Sequence, residues 1–149
     1  MKKIILNNFE VQKLVDLLSA QDSIINNRSE NKIPIALLWN IDKNYEKLSK
    51  INNQIQSMRG KIEQEYISDE FSYDNCDENG NVIGRQIKPE YMGEFARKIN
   101  ELLSIDNEVD IATIPLSKIE ELAVDGYTLQ CIKFMIEDDT EEIVEGTVE

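Results

Sequence analysis

Between Leu38 and Tyr66 the apolar residues Leu38, Ile41, Tyr45, Leu48, Ile51, Ile55, Met58, Ile62 and Tyr66 recur in eight steps over 28 positions, a mean of 3.5. That is the period of a helix that keeps one face against a partner along its whole length. Pro34 suits the first helical position, because its missing N–H is one the helix could not use. No further proline follows before Ile67, and Gly60 is the only glycine in the stretch. A helix over about 34–67 would be about 50 Å long at 1.5 Å per residue. Since this exceeds the width of a compact domain of this size, part of it is expected to project or to pair with another chain.

The natural antiparallel partner is PEYMGEFARKINELLSID, with Tyr91, Phe95, Ile99 and Leu102 on one face. It is about half as long, so the first helix or a second copy of the chain must cover the rest of the seam formed by Leu48, Ile51, Ile55, Met58 and Ile62. Such stripes mostly face their own core, and the intramolecular reading is preferred. Trp39, near the start of the long helix, is expected in that core. Upstream, KKIIL reads as a first strand, and Asn8 is placed to cap a helix carrying Phe9, Val11, Leu14, Val15, Leu17 and Leu18 to near Asp22. INNRSENK reads as a loop. Downstream, NEVDIATIP alternates Val109, Ile111 and Thr113 as a half-buried strand stopped by Pro115. A short helical turn, a break at Asp125-Gly126 and a last helix capped by Thr128, with Leu129, Ile132 and Ile136 on one side, complete the order.

Residues 75–86, NCDENGNVIGRQ, invite comparison with a calcium loop. Asn75, Asp77, Asn79, Gly80, Asn81 and Ile83 fall on positions 1, 3, 5, 6, 7 and 9 of an EF-hand. The pattern fails where a bidentate glutamate should close the site, since Gln86 offers one neutral oxygen, and Asp77 is the only ionised side chain among the expected ligands. The flanks do not read as helices either. FSYDNC and VIGRQI instead form two β-prone runs joined by DENGN, with Gly80 supplying positive φ, so a hairpin near 71–87 explains more of the residues.

Composition removes most other chemistry. With no histidine, the His-based nucleophile pairs and His-ligated metals are excluded. Cys76 and Cys131 lack a CxxC partner, and phosphate-loop, dinucleotide and RNA-binding signatures are absent. No cofactor or metal is expected, and the chain is read as not an enzyme. The net charge of −13 is lopsided: residues 1–68 carry ten bases and eight acids, residues 69–149 six bases and twenty-one acids. Seven of those acids follow Ile136, six of them in 138–149, which reads as an acidic flexible tail. Such a field repels phosphates, so no direct nucleic-acid contact is expected, while a basic protein surface would be attracted. Asp106, Glu108, Asp110, Glu120, Glu121 and Asp125 are the candidate partner-binding residues. Neither a signal peptide nor a membrane span is read from the sequence, which implies a cytoplasmic protein with no membrane contact.

These features combine into an α+β fold: a long helical hairpin or helical layer with a small antiparallel sheet, in a single domain over 1–137. The succession KKIILNNFEVQKLVDLL, a long charged helix, DENGNVI, EFARKINELL, EVDIATIPLSKIEEL and LQCIKFMIED resembles a family of small bacteriophage proteins of unknown function from phages of low-GC Gram-positive hosts. That resemblance implies a phage or prophage setting, with the host cytoplasm as the compartment, and brings no catalytic residues. The expected function is binding of a host or phage protein, in its sharper form inhibition of a host defence or nucleic-acid-processing protein. The alternative is a structural or tail-assembly accessory that oligomerises through the long helix.

Overall fold

The chain opens on strand β1 (Lys2–Asn7), where alternation turns Ile4 and Leu6 inward and leaves Ile5 outside. The computed structural model describes residues 1–19, 34–122 and 126–138. β1 pairs antiparallel with β4 (Asp106–Ile111), Lys2 opposite Ile111 and Asn7 opposite Asp106. Val109 and Ile111 are buried on the inner face, as their alternation predicts.

Helix α1 (Asn8–Ser19) follows without a loop. Its cap is Asn7 rather than the expected Asn8. Asn7 Oδ1 accepts the Glu10 N–H at 2.8 Å, and Glu10 Oε1 accepts the Asn7 N–H at 3.1 Å, a reciprocal capping pair. Asn8 is drawn inside instead: its side-chain amide donates to the Leu102 carbonyl at 2.7 Å, and its side-chain oxygen accepts from Asn107 at 2.8 Å. Val11, Val15 and Leu18 bury one face of α1, whereas Phe9 stands out in solvent. The expected end of this helix near Asp22 and the loop read at 25–32 lie outside the described residues.

Helix α2 (Ile35–Glu65) is the long helix, 31 residues and about 46 Å. Leu38, Ile41, Leu48 and Ile55 are buried in one core cluster with Leu6, Val15, Leu102, Ile111 and Ile132. α1 packs against α2, and so does α3 (Pro89–Leu103), so the stripe is largely covered within the chain, with Met58 left partly exposed. Trp39, expected in the core, is 70% exposed, because the step from Leu38 rotates it about 100° off the buried stripe.

Beyond Glu65 the chain turns into an aromatic cluster. Tyr66 meets Phe71 and Phe95 edge-on, both at 5.4 Å between ring centroids, and Phe71 meets Tyr91 at 4.9 Å. This cluster seats strands β2 (Ser72–Cys76) and β3 (Val82–Ile87), which form a hairpin of their own and do not join the β1–β4 pair. After β4, the two-residue strand β5 (Ile114–Pro115) leads into α4 (Leu116–Leu122). α5 (Gly126–Ile132), a 3₁₀ turn (Lys133–Met135) and β6 (Ile136–Glu137) follow, and β6 runs parallel to β5. The last helix therefore starts before Thr128 and stops before Ile136. Burial of Ile132 and Met135 swings the chain onto β5, while Leu129 is left partly exposed.

Candidate protein-binding face

The β1–β4 pair has two unlike faces. Inward, Leu6, Val109 and Ile111 enter the core; outward stand Lys3, Ile5 and Asn7 on β1 and Asp110, Glu108 and Asp106 opposite them on β4. Side chains two residues apart on a strand project about 6.7 Å from one another, so the three carboxylates make a straight row. All three are exposed. Lys3 sits opposite Asp110 and reaches Glu108 at 3.9 Å, both side chains more than half exposed. Such a pair is worth little and leaves the row net negative.

The row is held in place from behind. The Lys47 ammonium donates to the Asp110 carbonyl at 2.7 Å, tying β4 to α2 without touching the Asp110 carboxylate. Deeper, Asn44 is fully buried on α2 and pairs with the backbone of Ala112: its Nδ2 donates to the Ala112 carbonyl and its Oδ1 accepts the Ala112 N–H, both at 2.8 Å. The same Nδ2 lies 3.4 Å from Met135 Sδ. A side-chain amide thus does the work of a neighbouring strand at the point where β4 ends. Sequence reading missed Asn44, although it sits three residues after Ile41 and four before Leu48, a polar residue on the apolar seam of the kind that sets register.

The remaining candidates separate. Glu120 and Glu121 are exposed on α4, with Glu121 4.0 Å from Lys118, and do not belong to the strand row. Asp125 and the tail after Asp138 lie outside the described residues. Of the seam, Leu48 and Ile55 are buried in the chain's own core, Ile51 and Ile62 pack against it half-buried, and Met58 is partly exposed. A groove of about 250 Å³ between α2, α3 and the start of β4 is lined by Ile51, Met58, Ile105 and Asn107 among others, none of them ionisable.

At residues 75–86 the turn consumes its own carboxylate. Asp77 Oδ1 accepts the N–H groups of Asn79 and Asn81, both at 2.9 Å, and Gly80 has φ +83°. Strands rather than helices flank it. Among the described residues no group of three or more histidine, cysteine or acidic side chains is placed to hold a metal ion. Arg85 braces the hairpin base, its guanidinium 3.0 Å from Asp69 and 3.1 Å from Asp74, with Ser72 accepting as well. Nearby, Lys98 is 2.7 Å from Glu65 and lies over the Tyr66 ring at 5.2 Å. Hydrogen bonding to Glu65 first, and to Tyr66 next, holds its pKa above the ordinary lysine value.

Among the described residues no helix is long and apolar enough to cross a membrane. Compared with protein families, curated proteins and solved structures, the chain matches none.

Proposed function

We propose that this chain is a non-enzymatic, phage-type accessory protein that binds another protein through the acidic outer face of its terminal sheet. In its sharper form it inhibits a host defence or nucleic-acid-processing protein by occupying a basic groove. The observation that supports this reading is the row Asp106, Glu108 and Asp110, three exposed carboxylates at strand spacing on a face with one lysine. A surface evolved to hold phosphates meets such a row favourably, and a rigid row of like charges gives both steering and register. Oligomerisation through the seam of α2, as a structural protein would use it, has no such support, because Leu48 and Ile55 are interior.

The test is capture from host lysate, identified by mass spectrometry, with the wild type and with the triple variant Asp106→Asn, Glu108→Gln, Asp110→Asn. These positions are exposed, so the variant should keep its fold. A basic protein retained by the wild type, released by raising salt from about 0.05 to 0.5 M and lost with the variant, is the expected result. Capture indifferent to both changes would refute the acidic-face reading.

A further inference from the structure

We propose that Asn79 is a self-modification site: its side-chain amide is lost as ammonia through a ring closed by the Gly80 nitrogen, at a rate that the hairpin turn sets. Asn79 and Gly80 form the one Asn-Gly pair in the sequence. Both residues are exposed, and a Cβ built on Gly80 would meet nothing within 4 Å. Among the described residues the Asn79 side chain has no hydrogen-bond partner. Asparagine is a thermolabile residue, and glycine after it leaves no side chain to hinder approach of the next backbone nitrogen to the carboxamide.

The reaction needs only water. The Gly80 nitrogen, its proton given up to solvent base, bonds to Cγ of Asn79. The bond from Cγ to Nδ2 breaks, and Nδ2 leaves as ammonia with a proton from water. The five-membered succinimide so formed then takes up one water at either of its two carbonyls. Opening at one leaves aspartate. Opening at the other leaves isoaspartate, whose main chain runs through Cβ and Cγ and is one methylene longer. The sum is exchange of an amide NH2 for OH, with no oxidation or reduction.

The folded turn opposes the ring. The Gly80 N–H donates to the Asp77 carbonyl at 3.1 Å, so the nitrogen that must attack is turned toward Asp77 and keeps its proton. On either side of it the Asp77 carboxylate holds the N–H groups of Asn79 and Asn81, both at 2.9 Å. Ring closure therefore waits for the turn to open. Opening costs little in this hairpin, whose strands are exposed apart from Ser72 and Ile87. Once isoaspartate has formed, the added methylene displaces Gly80 and Asn81 relative to Asp77. The 2.9 Å bond from the Asp77 N–H to the Asn81 carbonyl and the two carboxylate contacts are then not remade together. Local opening becomes one-way, while β1 and β4, which share no residue with the turn, keep their pairing.

The full chain, kept folded at physiological temperature, should convert residue 79 to a mixture of aspartate and isoaspartate, faster at mildly alkaline than at neutral pH. Peptide mapping with electron-transfer fragmentation reads both products. Asn75 and Asn81, followed by Cys76 and Val82, should stay intact over the same interval. Unfolding in guanidinium chloride should speed conversion several-fold, and Arg85→Met, which releases the hairpin base, should speed it up to about fivefold. Amide exchange should find the isoaspartate fraction unprotected in the hairpin and unchanged in β1 and β4, whereas Asn79→Asp, with the charge but without the methylene, should keep the hairpin protected. Three results would each overturn the proposal: Asn79 intact in the folded chain after the unfolded chain has converted; one rate for folded, unfolded and Arg85→Met chains; or equal hairpin protection in the isoaspartate fraction and Asn79→Asp.

Discussion

Among the described residues two antiparallel ribbons of nearly equal length are held by opposite means. The β2–β3 hairpin joins residues 72–76 to 82–87 through a short turn, and apart from Ser72 and Ile87 its strands are exposed. The β1–β4 ribbon joins residues about a hundred positions apart and buries Leu6, Val109 and Ile111 on its inner face. One is stabilised by its turn and by the Arg85 brace; the other has no turn at all and relies on the core and on Asn44. Closing a long loop carries an entropy cost that only the burial of a whole face offsets.

The largest effect should come from the long-range ribbon. Asn44→Ala strands a buried N–H and a buried C=O of Ala112, which is expected to cost about 3–5 kcal/mol. For a chain of this size the thermal midpoint should fall by roughly 10–15 °C in a calorimetric scan. Ile111→Ala, at a fully buried position, should cost about 3 kcal/mol by urea unfolding. Ile83→Ala, at an exposed position on the hairpin, should stay within about 0.5 kcal/mol. Equal losses for the two isoleucines would erase the distinction between the ribbons.

Smaller effects should sharpen it. Gly80→Ala forces a side chain into positive φ and should cost about 1 kcal/mol. Arg85→Met, which removes an ion pair with two largely exposed carboxylates, should cost about the same or less. Both should speed amide exchange in the hairpin and leave protection of β1 and β4 unchanged, because the hairpin opens locally. Last is the pH dependence at the hairpin base. The pKa of Lys98 is raised in the folded state, so its contribution is complete at neutral pH and is lost as pH rises through the folded-state value. The difference in urea midpoint between wild type and Lys98→Met should therefore be constant up to about pH 10 and shrink above it.

The same contrast explains what could be read in advance. DENGN announced a turn because Asp, Asn and Gly each favour it through their own backbone, and Val82–Ile87 follows as expected. The stripe of α2 was equally plain, since 3.5-residue spacing is written in adjacent turns. The size and apolarity of Trp39 point to the interior, and only its angle from the stripe puts it in solvent. Asn7 and Asn8 cap equally well in isolation, and only the buried Leu102 carbonyl distinguishes them.

The acidic residues 106, 108 and 110 were legible as a cluster, but not as one face of a ribbon whose other strand is the start of the chain. Propensity, periodicity and composition act over a few residues, and they suffice for the stripe of the long helix, the hairpin turn and the lopsided charge. That β1 lies beside β4 and that Asn44 stands in for a strand at Ala112 follow only from the assembled fold. Pairing between distant segments is selected by burial and hydrogen-bond satisfaction, which no short stretch of sequence contains.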